Sequence, residues 1–310
     1  MSGNDKIVTA GATRRRVLQC MGWGTAGILW TVASGIPRAR ALDAAPAAAG
    51  DFFFVQVSDS HIGFTKDPNP TPDATLREAL QKIAAMPRRP AFMLHTGDVS
   101  HLSKPSEFEA ASGIMQTAQL ETYYVPGEHD TIGDNGKEFF ARFAAKTAKP
   151  GGWYSFDQNG VHFIGLVNVL NLKDGGLGNL GDEQLAWLAD DTRALSASTP
   201  LVVFAHMPLW SLYPQWGWGT DDATQAFATL KRFGSVTVLN GHIHQIVQKV
   251  EGNVTFQTAR STAYPQPQAG QAAGPGPMHV AAEKLRSAIG VRRIDFTGMT
   301  PAVADNALAS

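Results

Sequence analysis

The chain is 310 residues long, 44% hydrophobic and 17% charged, with 31 Gly and 18 Pro. That is enough for one large domain or two small ones with a substantial core, and it excludes a collagen, a coiled coil and a wholly disordered chain. A formal net charge of -1 argues against a protein devoted to non-specific nucleic-acid binding.

The average hides two unequal parts. Residues 1–41 hold Lys6, Arg14, Arg15, Arg16, Arg38 and Arg40 against the single acid Asp5, which leaves 20 of the 26 bases and 26 of the 27 acids to the rest. Such a charge boundary separates a targeting segment from a folded body. Thr13-Arg14-Arg15-Arg16-Val17-Leu18-Gln19 resembles the twin-arginine export motif. An apolar run from Val17 to Ile36 follows, interrupted by Gly22, Gly24, Gly27 and Gly35, and Ala39-Arg40-Ala41 offers small residues where a signal peptidase reads. The run is about long enough to span a membrane, but the glycines and the Ala-x-Ala site favour a cleaved leader over a stable anchor. Cys20 is the only cysteine and lies in this leader, so no disulfide is expected in the mature chain. The expectation is a signal peptide over 1–41 that engages the twin-arginine translocase, a flexible tether over 42–50, and a periplasmic or secreted product.

Beyond the tether, buried-type strands alternate with amphipathic helices. Strands are predicted at Phe52–Val57, Ala91–His95, Tyr123–Val125, Trp153–Phe156, Val161–Val167, Leu201–His206 and Val236–Leu239. Several are continuous apolar runs, as strands covered on both faces should be. Helices are predicted between them at 73–86, 105–119, 137–146, 182–195 and 222–233. The 182–195 segment shows the 3.6-residue period in Leu185, Trp187, Leu188 and Leu195 against Asp190, Asp191 and Arg193. Then Gln245–Val250 and Val254–Thr258 flank Glu251-Gly252-Asn253 as a hairpin, residues 265–277 read as a Pro/Gly loop, and Val291–Phe296 as a last edge strand. With no internal repeat and no later linker, residues 51–310 form one α/β domain.

The histidines and acids sit at the strand ends. Asp59-x-His61 follows the first strand, Gly97-Asp98 the second, and Gly127-Glu128-His129-Asp130 the third. His206 ends the run Leu201–Ala205, and Gly241-His242-x-His244 follows Val236–Leu239. In an open α/β sheet the carboxyl ends of parallel strands share one edge, where ligands bind. The step from Asp59 to Asp98, and again to Glu128, is about one strand–helix–strand unit, so these side chains converge on one rim. Each piece alone is common by chance; five of the nine histidines falling into such motifs is not.

In this order the motifs resemble the calcineurin-like metallophosphoesterase superfamily, over about residues 51–258, in the branch containing bacterial cyclic-nucleotide phosphodiesterases. Trp153-Tyr154-Ser155-Phe156 and Gln184-x-x-Trp187-Leu188 look similar too. The resemblance implies a four-layer αββα sandwich of two mixed β-sheets flanked by helices. It implies one metal held by Asp59, His61, Asp98 and His244 and a second by Asp98, Glu128, His206 and His242, with Asp98 bridging. It implies His129 as the group that contacts phosphate and assists the leaving group; Asp130 beside it could orient that imidazole. Mixed imidazole and carboxylate ligation suits Fe, Mn or Zn, as two divalent ions or an Fe(III)/M(II) pair. The expected reaction is hydrolysis of a small-molecule phosphate mono- or diester, a cyclic nucleotide among them, by a metal-bridging hydroxide.

Glu128 departs from the family, which has Asn there. An ionised Glu128 adds a negative charge to those of Asp59 and Asp98 and lowers the pull on a phosphate ester. It could ligate and favour a harder or trivalent metal, bridge and displace the hydroxide, or swing away; ligation is preferred. A non-catalytic metal-binding protein on the same scaffold therefore stays open. Trp210, Tyr213, Trp216 and Trp218, in an irregular stretch after His206, could wall a substrate or plug the loop onto the body. His95 is read as a core residue, His162 as structural, His101 as a surface residue with contact to the metal-ligating side chains as the alternative, and Asn240 as turn chemistry. Asn168 and Asn171 could reach substrate, and His279 is assigned nothing.

Overall fold

The computed structural model describes residues 28–33, 36–41, 51–144, 148–297 and 300–309. Two compact units divide at Ala47 and Ala48. In the first, Ile28–Ala33 (β1) and Ile36–Ala41 (β2) pair antiparallel. The arginines at 14–16 and the tether at 42–50 lie outside the described residues. No helix among the described residues is long and apolar enough to cross a membrane.

The second unit is built on two mixed sheets. In one, Phe52–Val57 (β3), Met93–His95 (β4) and Thr122–Tyr124 (β5) run parallel. In the other, Tyr154–Gln158 (β6), Val161–Gly165 (β7), Leu201–Phe204 (β8), Val236–Asn240 (β9), Gln248–Glu251 (β10) and Val254–Thr258 (β11) lie in the order β10-β11-β9-β8-β7-β6, with β6 and β10 antiparallel to their neighbours. Gly290–Thr297 (β12) joins β3 antiparallel, and Thr300–Ala307 (β13) pairs outside it. The expected last edge strand is therefore interior. β13 escapes sequence reading because an edge strand needs little apolar surface, and residues 301–307 are half-buried or exposed.

Side-chain alternation assigns the layers. Phe52 and Phe54 of β3 face the second sheet, where they join Phe163, Val202, Phe204 and Leu239. Phe53, Val55 and Val57 face the helices Pro72–Ala84 (α1), Pro105–Gln116 (α2) and Lys137–Phe143 (α3). Likewise Leu201 and Val203 of β8 face Asp182–Arg193 (α4) and Ala223–Leu230 (α5). The result is the expected four-layer sandwich. Its middle is aromatic: Phe54 stacks on Phe92 at 4.9 Å and meets Phe163 edge-on at 5.4 Å. Truncating such a fully buried Phe costs about 3–5 kcal/mol.

The helices read as amphipathic for local reasons. α1 starts on Pro72, whose missing N–H costs nothing in the first turn, and buries Leu76, Ala79, Leu80 and Ile83. In α4 the fully buried positions include Gln184, whose side chain accepts from Val167 N–H at 2.8 Å and donates to Val167 C=O at 2.6 Å. That pair ties α4 to the chain just beyond β7. A short helix at Ala282–Ala288 (α6), absent from the sequence reading, buries only Leu285.

Candidate metal centre

The ligand candidates stand on strained loops. Asp59, His61, Asp98, His242 and His244 all have positive φ, between 42° and 69°. Non-glycine residues hold that conformation at about 1–3 kcal/mol each, and only where neighbours enforce it. Here Asp59 N–H donates to Gly97 C=O at 3.0 Å, His61 N–H to Asp98 C=O at 2.9 Å and Ile62 N–H to Val99 C=O at 3.0 Å. Two glycines permit the approach of the loops. A Cβ on Gly127 would stand 2.0 Å from Asp98 Oδ1, and one on Gly241 would stand 2.1 Å from Ser58 Oγ.

All seven expected ligands converge. Asp59 Oδ1 lies 3.2 Å from His244 Nε2, which is 3.2 Å from His61 Nε2. Asp98 Oδ2 is 3.5 Å from His61 Nε2 and 3.4 Å from His206 Nε2, so one carboxylate oxygen faces both groups. Glu128 has not swung away: Oε2 is 2.8 Å from His206 Nε2 and Oε1 is 3.0 Å from His242 Nδ1.

Tautomers show what the cluster wants. His206 Nδ1 donates to Thr96 C=O at 2.7 Å and His244 Nδ1 to Tyr264 C=O at 2.6 Å. Each Nε2 is therefore the nitrogen turned inward, and offers its lone pair wherever it does not hold a proton. Asp59 Oδ2, Glu128 Oε2, His206 Nε2 and both ring nitrogens of His242 are buried without a well-aligned hydrogen bond, although Glu128 lies 2.8 Å from His206 and 3.0 Å from His242. Converging buried lone pairs repel unless a proton or cation lies among them. Carboxylate oxygens and imidazole nitrogens without thiolate suit Mn, Fe or Zn, so the residues fit a pair of such ions.

The electrostatics agree. Burial raises the Asp59 carboxyl, but His244 and His206 outweigh it and hold it at about 2. Burial likewise opposes ionisation of Glu128, yet His242 and His206 hold it well below the carboxylate range. His206 is pushed well above an ordinary imidazole, burial being overcome by Asp98 and Glu128. Burial and the neighbouring His129 and His244 push His61 well below. A cation would take the place of the His206 proton.

His129 lies beside the cluster, its ring 4.8 Å from that of His61. Its Nδ1 donates to His101 C=O at 2.7 Å and its backbone N–H to Asp98 Oδ1 at 3.0 Å. Burial lowers its basicity, but Asp98, Glu128 and that carbonyl raise it on balance. Asp130 does not orient the imidazole as expected. Its carboxylate accepts from Val99 N–H, Ser100 N–H, Ser100 Oγ and Gly127 N–H at 2.8–3.0 Å, clamping the Asp98 loop to the Glu128 loop. Burial and the Asp98 charge push it up to about 7.

His101 is half-buried against this site, with Nδ1 3.4 Å from His61 Nδ1, rather than a surface residue. Asn240 braces the end of β8, donating to Ala205 C=O and Met207 C=O at 2.9 Å. Asn168 is spent on Met207 C=O and Thr220 Oγ1, and Asn171 is exposed, so neither Asn is placed toward a substrate. His95 is fully buried with one bond, to Ser60 Oγ at 3.0 Å.

A cleft of about 210 Å³ opens onto the cluster, lined by His61, Asp98, Glu128, His129 and His242 together with Trp218, Tyr264 and Pro275–Pro277. The aromatic stretch divides its roles. Trp218 faces the cleft, Trp210 packs on Phe256 at 5.3 Å as a plug, and Tyr213 and Trp216 pack edge-on against Trp218. Sequence reading missed Tyr264, which stacks on His61 at 4.8 Å and holds His244 through its carbonyl.

Residues 54–246, which contain all seven clustered side chains, match the calcineurin-like phosphoesterase family. A 3',5'-cyclic-nucleotide phosphodiesterase of Nostoc sp. is 29% identical over 175 residues, 56% of this chain and 62% of that protein. Purple acid phosphatase 23 of Arabidopsis thaliana is 31% identical over 103 residues, 30% of this chain and 21% of that protein. The chain thus spans less than two thirds of the length of these curated relatives. In fold it is similar to a dimetal phosphatase from Danio rerio, with a TM-score of 0.59 and 12% identity over 82% of this chain and 98% of the other. It is also similar to purple acid phosphatase PPD1 from yellow lupin, with a TM-score of 0.61 and 12% identity over 86% of this chain and 53% of the other. The match across most of the second unit establishes that this chain belongs to the calcineurin-like phosphoesterase family.

Proposed function

We propose that the protein is a metal-dependent phosphoester hydrolase. The observation that carries this reading is Asp98 Oδ2, shared between His61 and His206 at 3.5 and 3.4 Å in a cluster of buried, unpartnered donors. Two cations held there would polarise the phosphate oxygens and supply the nucleophile near neutral pH. The chain's own residues do the rest. His129, with Nδ1–H fixed on the His101 carbonyl, presents Nε2 as the proton donor to the departing alkoxide. Trp218 and Tyr264 wall the cleft. The only cysteine is Cys20, and no covalent enzyme intermediate is needed.

The Nostoc relative supports a phosphodiesterase, a cyclic nucleotide being one substrate of that kind. Arg14, Arg15 and the Ala39-Arg40-Ala41 site support export by the twin-arginine pathway to the periplasm or beyond. Glu128 between His206 and His242 favours a second reading, a metal-binding protein without turnover. The test is elemental analysis of protein purified without chelator, paired with hydrolysis of bis- and mono-nitrophenyl phosphate. About two Fe, Mn or Zn ions per chain with turnover is expected. Two ions without turnover would give the second reading; no ions and no turnover after reloading would reject both.

A further inference from the structure

We propose that Glu128 sets the charge preference of this site, favouring singly charged phosphate diesters over doubly charged monoesters. The inference rests on the hydrolase reading above. Asp59, Asp98 and Glu128 bring three negative charges into the cluster, all three ordered against imidazoles within 4.0 Å. Two divalent ions would leave a net charge of +1, which one diester anion neutralises and a monoester dianion exceeds. The proton on His129 and the negative charge of a hydroxide nucleophile would cancel in this count, and among the described residues no Lys or Arg lines the cleft to accept the second charge. Arg260 lies in the neighbouring groove and is bonded to Ser287 C=O at 2.7 Å.

The surroundings also have room for the second arm of a diester. The cleft of about 210 Å³ takes the phosphoryl group and little more. A groove of about 990 Å³ shares Gln266, Pro275, Gly276 and Pro277 with it as a common wall. Among the described residues no carboxylate lines that groove, so it suits a neutral or anionic substituent and offers a quaternary ammonium no carboxylate to pair with. Gln266 fixes the wall, donating to His242 C=O at 2.8 Å and accepting from Gly276 N–H at 3.1 Å.

The test compares metal-loaded wild type with E128Q, E128N and the charge-retaining E128D. Calorimetry at pH 8 measures binding of inorganic phosphate, mostly a dianion, and of dimethyl phosphate, a monoanion, with metal content counted for each protein. Removing one charge at contact range should tighten phosphate relative to dimethyl phosphate by about tenfold in E128Q and E128N, while E128D keeps the wild-type ratio. Rates on mono- and bis-nitrophenyl phosphate should shift in the same direction. An unchanged ratio in a variant that keeps two ions would overturn the inference, as would a trivalent ion in the wild type, which restores the missing charge. Loss of one ion from E128Q and E128N without tighter phosphate binding would also overturn it, leaving Glu128 as a ligand only. Fewer than two ions in the wild type would instead overturn the hydrolase reading and this inference with it.

Discussion

The two halves of the metal cluster differ in how far they are closed. Asp59, His61 and His244 are sealed from solvent, with side chains no more than 1% exposed. In the other half His206 is sealed, but Glu128 is 25% and His242 is 10% exposed. The closed half is over-determined by the loop bonds around Asp59 and by the Tyr264 carbonyl. In the open half His242 has no bond on either ring nitrogen, and its cleft side remains accessible. Closed metal sites serve structure and sites with an open position serve chemistry, so the halves should hold their ions unequally.

Asp98 belongs to both halves, and removing it should have the largest effect. Asp98→Ala should lose both ions and lower turnover by about 10³-fold or more, since the metals contribute several kcal/mol to the barrier. Elemental analysis that still finds two ions would break the assignment of a shared carboxylate. His129→Ala separates acid catalysis from ion binding. It should keep both ions and lower kcat by about 10²–10⁴-fold, the usual contribution of an acid–base group. Turnover that survives intact would remove His129 from the reaction.

The difference between the halves is directly measurable by chelator titration. One ion should leave first, with the affinities about tenfold or more apart, and the melting temperature should fall in two steps. His242→Ala should retain one ion and show only the second step. Simultaneous release of both ions would mean that the two halves act as one site, whatever their exposure.

The parts of this centre that were legible in the sequence are those where chemistry coincides with a strand end. A continuous apolar run such as Phe52–Val57 followed by Asp59-x-His61 announces both the strand and its ligand. The supports were harder to read because their work is done by backbone. Tyr264 holds His244 through a carbonyl that every residue possesses, so its identity carries no signal. Asp130 was legible as an acid beside His129, yet it is spent on backbone N–H groups that only the folded loops bring together. Strand β13 was missed for a different reason: with a short apolar complement and one exposed side, it has no period to detect. The aromatic stretch was readable as a group but not residue by residue, because only packing decides that Trp210 is a plug and Trp218 a wall.

A histidine outside both halves supplies the control for what makes a ligand. His162 is buried like the ligands, but carboxylates flank both its nitrogens, Asp157 at 2.8 Å and Asp191 at 2.9 Å. Burial lowers its basicity, and the hydrogen bonds and charges of Asp191 and Asp157 raise it above the ordinary imidazole on balance. Both nitrogens of that ring are spent on carboxylates outside the cluster, whereas His206 and His244 each have one nitrogen capped by a carbonyl and turn the other into the acid cluster, where a cation can replace a proton. Because the folded pKa is raised, the contribution of His162 to stability is fully present below the unfolded pKa of about 6.5 and is lost as pH climbs through the folded value. His162→Gln should therefore lower the melting temperature more at pH 5.5 than at pH 9. Taking the wild-type-minus-variant difference at each pH cancels what acid does to the metal centre in both proteins. Equal differences at the two pH values would mean that the ring is neutral, and that bonding on both nitrogens does not separate structural histidines from ligands in this fold.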